Sequence, residues 1–217
     1  RLSWIDSFIF SCPSGILKTL AVMSGDGSLF LHTKVTLYET LVSFLLVIGI
    51  SFLTATLLWI FPTVSEILEP WLVVLHSLPK SALAPLLIVW LGSGSCTIIV
   101  AGMSVAVFGS IISMYTAFRE TDSEKIKLIH TLGGGKREAL CYVIFPSSLP
   151  SVISILKVNI GLCLVGVIIG EFLAAKSGLG YLIIYSSQVF KMDWLLMSII
   201  LLCIMAMGLY ALIHVVE

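Results

Sequence analysis

Charged and apolar positions along this chain are segregated into long blocks rather than alternating. Residues 40–65 contain no Asp, Glu, Lys or Arg, and the core of that block, 41–61, is long enough to cross a hydrocarbon layer that needs about 20 residues. It predicts a spanning helix. Pro62 ends the run, Glu66 and Glu69 follow, and a second apolar stretch over about 70–91 is interrupted by Pro79, Lys80 and Pro85, as in a bent or broken membrane helix. The polar turn Gly92-Ser93-Gly94-Ser95 leads to a third span over 97–118, a fourth from near Pro150 to Phe172, and a fifth over 194–214. Between the last two, 177–190 is partly apolar and glycine-interrupted. The pieces 4–10 and 16–23 are too short to span.

Composition agrees. Hydrophobic residues make up 59% and charged residues 11% of the chain, with mean hydropathy +1.12, too apolar for a water-facing surface. Acidic and basic residues balance at 12 each, so net charge points to no nucleic-acid partner. The location of the cations is the informative quantity. Five of them, Arg119, Lys125, Lys127, Lys136 and Arg137, lie in the 118–138 connection, whereas 92–95 has none and 172–193 has only Lys176 and Lys191. The basic loop is therefore expected in the cytoplasm, with 1–35 and 172–193 outside. No secretory leader, internal repeat or low-complexity tract is evident.

Catalytic chemistry finds little support. Cys12, Cys96, Cys141, Cys163 and Cys203 are scattered, as are His32, His76, His130 and His214, and neither set has metal-ligand spacing. HExxH, GxSxG, a phosphate loop and a dinucleotide fingerprint are missing. These gaps argue against a membrane-embedded enzyme and assign any nucleotide chemistry to another subunit. Glu39, Glu171 and Asp193 fall near predicted span ends, which argues against the midplane carboxylate relay of an ion-coupled transporter. A plain membrane scaffold is the third alternative.

The most distinctive segment is 124–150. A short helix over 124–132 places Ile126, Ile129 and Leu132 on one stripe and turns Lys125 and Lys127 outward. Gly133 would stop it in a left-handed turn. Read alone, the loop also serves as an ordinary topogenic turn. Elsewhere, a distorted helix around Pro79, Lys80, Ser81 and Pro85 frees carbonyls to line a passage. Lys80 either faces that passage or a neighbouring subunit, or else snorkels or pairs internally, and Lys157 is expected to snorkel. Gly178 and Gly180, just after Glu171, allow tight turns, while Tyr181 and Tyr185 suit a membrane interface.

Four blocks occur in an order similar to the permeases of bacterial binding-protein-dependent ABC importers, in the nitrate, taurine and sulfonate branch. They are CPSGIL at 12–17, LPKSALAPLLIVWLGSG at 78–94, the basic loop with Gly133 and its closing Leu149-Pro150, and GEFLAAKSGLGYLI at 170–183. Two departures stand out: Lys127-Leu128-Ile129 replaces the family's Glu-Ala-Ala, and Glu39 stands where the family tends to have Arg. The resemblance implies an all-α, polytopic transmembrane bundle of about five spans, with a further family helix ahead of Arg1 and a short cytoplasmic coupling helix. It implies one domain over 1–217, comprising an extracytoplasmic segment at 1–35, a coupling loop at 119–145 and an outer loop at 172–193.

It further implies a non-catalytic subunit of the bacterial inner membrane, surrounded by lipid, without a cofactor of its own. ATP would be used by a cytoplasmic ABC ATPase dimer that contacts Lys127, Leu128, Ile129, Leu132, Gly133 and Gly134. A second permease copy would complete the pore, and an extracytoplasmic binding protein would deliver a sulfonate, taurine, nitrate or vitamin precursor. Pro79, Lys80, Ser81, Pro85, Glu171, Gly178 and Gly180 would belong to the path or its gate, with no constellation for binding substrate visible in the sequence.

Overall fold

Helix boundaries fall where proline, glycine or a polar cap interrupts the apolar runs. The computed structural model describes residues 12–215. In order these form α1 (Pro13–Gly25), α2 (Ser28–Ile60), α3 (Pro62–Ser77), α4 (Lys80–Leu91), α5 (Ser95–Arg119), α6 (Ser123–Thr131), α7 (Lys136–Ala139), a π-helical turn (Leu140–Ile144), α8 (Phe145–Ala174), α9 (Leu179–Gln188) and α10 (Met192–Val215). Pro13 and Pro62 open their helices, where the missing N–H is not needed.

Among the described residues four helical runs, α2, α5, Lys136–Ala174 and α10, are long and apolar enough to cross a membrane. α3 and α4 supply a fifth when taken together as one span bent by 93°. The bend sits at Leu78, whose extended backbone (φ −64°, ψ 139°) is the conformation favoured before a proline. This is the broken helix that the proline spacing predicts.

α5 is the centre of the bundle, packed between α2 and α8. At Gly166 of α8 an added Cβ would fall 2.8 Å from the Gly102 Cα of α5, so the two backbones touch. Close approach of this kind is how helices associate in lipid, where apolar burial alone gives little preference. Apolar clusters follow one another along the bundle. At the end bearing the basic loop, the Phe52, Phe118 and Phe145 rings lie 5.0–6.0 Å apart around Leu58, Met114 and Ile144. Val47, Ala106 and Cys163 fill the middle. At the far end Leu164, Leu179 and Met197 pack with Met23 of α1. Leu45, Leu53, Val89, Trp90 and Met207 are left exposed on the outside, a surface suited to hydrocarbon rather than water.

Two boundaries differ from expectation. α2 begins at Ser28 rather than near residue 41, and its 33 residues extend about 50 Å at 1.5 Å per residue. Residues 28–35, expected in the outer segment, are therefore helical turns of α2 held against α1 and α9. The fourth span starts at Lys136 rather than near Pro150, so 136–145 leaves the expected loop and joins a continuous helix. Pro150 lies inside α8. A proline removes one N–H without breaking a packed membrane helix, and the π turn just before α8 adjusts its register. The piece at 16–23 is helical within α1, whereas 4–10 lies outside the described residues.

Candidate functional site

The segment after α5 begins with a cap. Asp122 accepts a hydrogen bond from the Glu124 N–H at 2.9 Å, satisfying one of the free donors that open α6. Ile126 packs into the aromatic cluster below and Ile129 is half-buried. Leu132, expected on the same stripe, is 76% exposed, and Leu128 is 59% exposed. The helix ends at Thr131, which takes Leu132 off the stripe. Lys125 and Lys127 are exposed as well.

Gly133 stops the helix with φ +84°, a conformation that a Cβ disfavours. The Gly134 N–H then donates to the Ile129 carbonyl at 2.9 Å, and the Gly135 N–H donates to Glu138 Oε2 at 2.8 Å. Gly134 is the tightest position, since a Cβ there would lie 2.6 Å from Ile129 Cγ2 and 3.1 Å from its carbonyl oxygen. Lys136 closes the arrangement by donating to the Ile60 carbonyl, 3.0 Å away, at the end of α2. Its charge also complements the negative end of that helix.

At the break in the α3–α4 pair, Lys80 pairs internally. Its ammonium donates to the carbonyls of Leu75 and of His76, the latter at 2.9 Å, and sits 5.5 Å from the Phe108 ring. Pro79, Ser81 and Pro85 remain exposed and do not gather around it. Beside this break, His76, Ser113, Ser154 and Asn159 line a hollow of about 360 Å³ between α3, α5 and α8. Asn159, 2% exposed, donates to Ser110 Oγ at 2.7 Å. The one sequence signal for this hollow is Asn159, the only asparagine in the chain, standing inside an apolar run.

At the opposite end, Glu171, Gly178 and Gly180 do come together. α9 starts with three backbone N–H groups in need of acceptors. The Gly178 N–H donates to His32 Nδ1 at 2.9 Å, the Leu179 N–H to Thr36 Oγ1 at 2.8 Å and the Gly180 N–H to Glu171 Oε2 at 2.6 Å. Thr36 in turn donates to Glu171 Oε1 at 2.6 Å. Gly178, with φ +122°, leaves room for the Glu171 carboxylate, which a Cβ would overlap. Tyr181 stacks on His32 at 6.1 Å and Tyr185 on Tyr181 at 5.9 Å.

Glu39 stands next to this lock. Rather than marking a span end, it lies within α2 with 0% exposure, beside the Glu171 carboxyl. Thr36 and Glu39 share one face of α2, and only the fold brings that face against Glu171, 135 residues from Thr36. Lys157, expected to snorkel, lies 3.4 Å from His214 Nδ1.

Both the sequence and the fold of this chain have known counterparts. The family described as the binding-protein-dependent transport system inner membrane component matches residues 46–216. The chain belongs to that family. A probable ABC transporter permease of Haemophilus influenzae is 29% identical over 203 residues, covering 94% of this chain and 82% of that protein. The putative aliphatic sulfonates permease SsuC of Bacillus subtilis is 25% identical over 187 residues, covering 86% and 68%. The MetNI methionine ABC transporter shares the fold, with a TM-score of 0.76 at 16% identity over 85% of this chain and 92% of the matched one. This permease is thus a helical, multi-pass inner-membrane transport subunit of the ABC class.

Proposed function

We propose that this permease is the membrane subunit of an ATP-driven importer in which two copies form the path and an ATPase dimer docks on α6. A binding protein on the outer side hands over a small organic solute. The mounting of α6 carries this reading. Ile126 is anchored in the aromatic cluster, Lys136 is tied to the end of α2, and the exposed Leu128 and Leu132 offer apolar contact beside Lys125 and Lys127. Force on that exposed side passes through close-packed side chains to α2 and α5, because protein interiors yield little.

The path runs by the hollow at the broken helix, where the polar side chains of His76, Ser113 and Asn159 can replace water around a solute. That lining contains no carboxylate and suits an oxyanion-bearing nutrient. Its chemistry and the sulfonate permease among the relatives favour a sulfonate-type cargo.

A cysteine at Leu132 tests the docking. In the assembled transporter, Leu132→Cys should cross-link to the ATPase and be shielded from bulky thiol reagents, whereas a cysteine at Ser177 should not cross-link. Full labelling of Leu132→Cys in an active complex would overturn the assignment of α6. Uptake of labelled sulfonates against nitrate and vitamin precursors tests the cargo, and transport of the latter two alone would reject the sulfonate reading.

A further inference from the structure

Glu171 and Glu39 are adjacent and both fully buried, but their surroundings differ. Glu171 has its oxygens matched by the Thr36 hydroxyl and the Gly180 N–H, each at 2.6 Å. Among the described residues neither carboxylate oxygen of Glu39 meets hydrogen-bond geometry with a partner, although the Ser95 hydroxyl and the Glu171 carboxyl are near neighbours. A buried carboxylate without a donor or counter-charge is strongly unfavourable, and a second carboxylate beside it makes the local field more negative still. Ionisable groups inside a membrane bundle face its interior, where they pair with one another or with backbone carbonyls or mark an ion or substrate site.

Glu39 also forms the floor of a cavity of about 160 Å³, walled by Ser93, Ser95, Ala174, Lys176 and Ser177. The walls belong to the turn before α5 with that helix's first residue, and to the end of α8 with the loop joining it to α9. They bring serine side chains and irregular backbone, sources of neutral oxygen ligands, around Glu39, whose carboxylate oxygens have no hydrogen-bond partner among the described residues.

We propose that Glu39 is the charged ligand of a site for a single monovalent cation, either an alkali ion or a primary ammonium group, seated between α2, the 92–95 turn and the α8–α9 loop. A divalent ion is a poor match, since calcium takes 6–8 oxygen ligands and no group of three or more His, Cys, Asp or Glu side chains is assembled among the described residues. Lys176 at the rim opposes further positive charge. Its ammonium is exposed and forms no ion pair with Glu39, the described ion pair being that of Arg119 with Glu69. The cation joins the two loops that meet over Glu39, so binding closes this end of the bundle.

The test uses the intact permease in nanodiscs with choline as the background cation. Radioactive sodium binding is measured at equilibrium, with potassium, ammonium and methylammonium as competitors. One saturable site per chain is expected, with affinity reduced at least tenfold by Glu39→Gln and raised about threefold by Lys176→Met through loss of a nearby positive charge. Competition by potassium but not methylammonium assigns an alkali ion, and stronger competition by the ammonium ions assigns an ammonium site. Absence of saturable binding of every cation, wild-type affinity in a monodisperse Glu39→Gln protein, or weaker binding in Lys176→Met overturns the proposal. The Lys176 variant changes an exposed side chain, so it gives a result even if Glu39→Gln fails to fold. The readout depends neither on the transported solute nor on an ATPase.

Discussion

Thr36 shows how one hydroxyl can hold a loop to a helix. It accepts from the Leu179 N–H and donates to Glu171 Oε1, both in a site closed to water. Thr36→Val keeps the shape and removes both functions, leaving a buried donor without its acceptor at a cost of about 1–3 kcal/mol. The purified variant should unfold at a lower temperature and expose the α8–α9 loop to protease sooner; unchanged unfolding would show that the lock contributes nothing. The glycine triplet gives a second contrast within one motif. Gly134→Ala drives a Cβ into Ile129, including its carbonyl oxygen, whereas Gly135→Ala meets only the movable Glu138 carboxylate at 3.1 Å. Coupled ATP hydrolysis should fall severalfold in the first and stay near normal in the second. Equal activities would mean that the close contact at Gly134 gives way without consequence.

At the scale of helices, α6 has to end abruptly to leave Leu128 and Leu132 uncovered. Gly133→Val puts a β-branched residue at φ +84°, costing roughly 1–2 kcal/mol, and no neighbouring atom lies within 4 Å of the new Cβ to add a clash. The variant should insert and dimerise normally while losing transport and substrate-stimulated ATP hydrolysis. Normal uptake would reduce the segment to a topogenic turn. Much of this element is legible in the sequence, because a glycine stop after an amphipathic stretch has a local cause. The broken α3–α4 pair is legible for the same reason, through Pro79. What depends on distant partners is not. The Lys136 bond to Ile60 spans 76 residues, and the meeting of Glu39 with Glu171 follows from how α2 packs on α8, so neither leaves a periodic trace. Pro150 misleads in the opposite way: its usual meaning as a helix start is overridden by the packing around a continuous α8.

For the whole molecule, the end that carries α6 and the end that carries the Glu171 lock must lie on opposite sides of the membrane. The charge distribution gives the direction. Five cations lie on or beside α6 in the 118–138 connection, against two on 172–193, and such a bias retains the richer side in the cytoplasm. α8 separates the two ends, and its 30 residues rise about 45 Å, more than the roughly 30 Å of hydrocarbon. One crossing therefore lies between Gly134 and Ser177. With the native cysteines replaced, and with the permease expressed without its ATPase so that α6 is uncovered, a cysteine at Gly134 should react with an impermeant maleimide only in inside-out vesicles, and one at Ser177 only in right-side-out cells. Steric cost at Gly134 is a concern for activity, so Leu132, which is 76% exposed, provides a neighbouring position that alters no glycine. Reaction of Leu132→Cys and Ser177→Cys from the same face would require α8 to re-enter rather than cross. Reaction of each from the face opposite to that expected would keep the crossing but invert the bundle, placing the Leu128 and Leu132 surface where no ATPase could reach it.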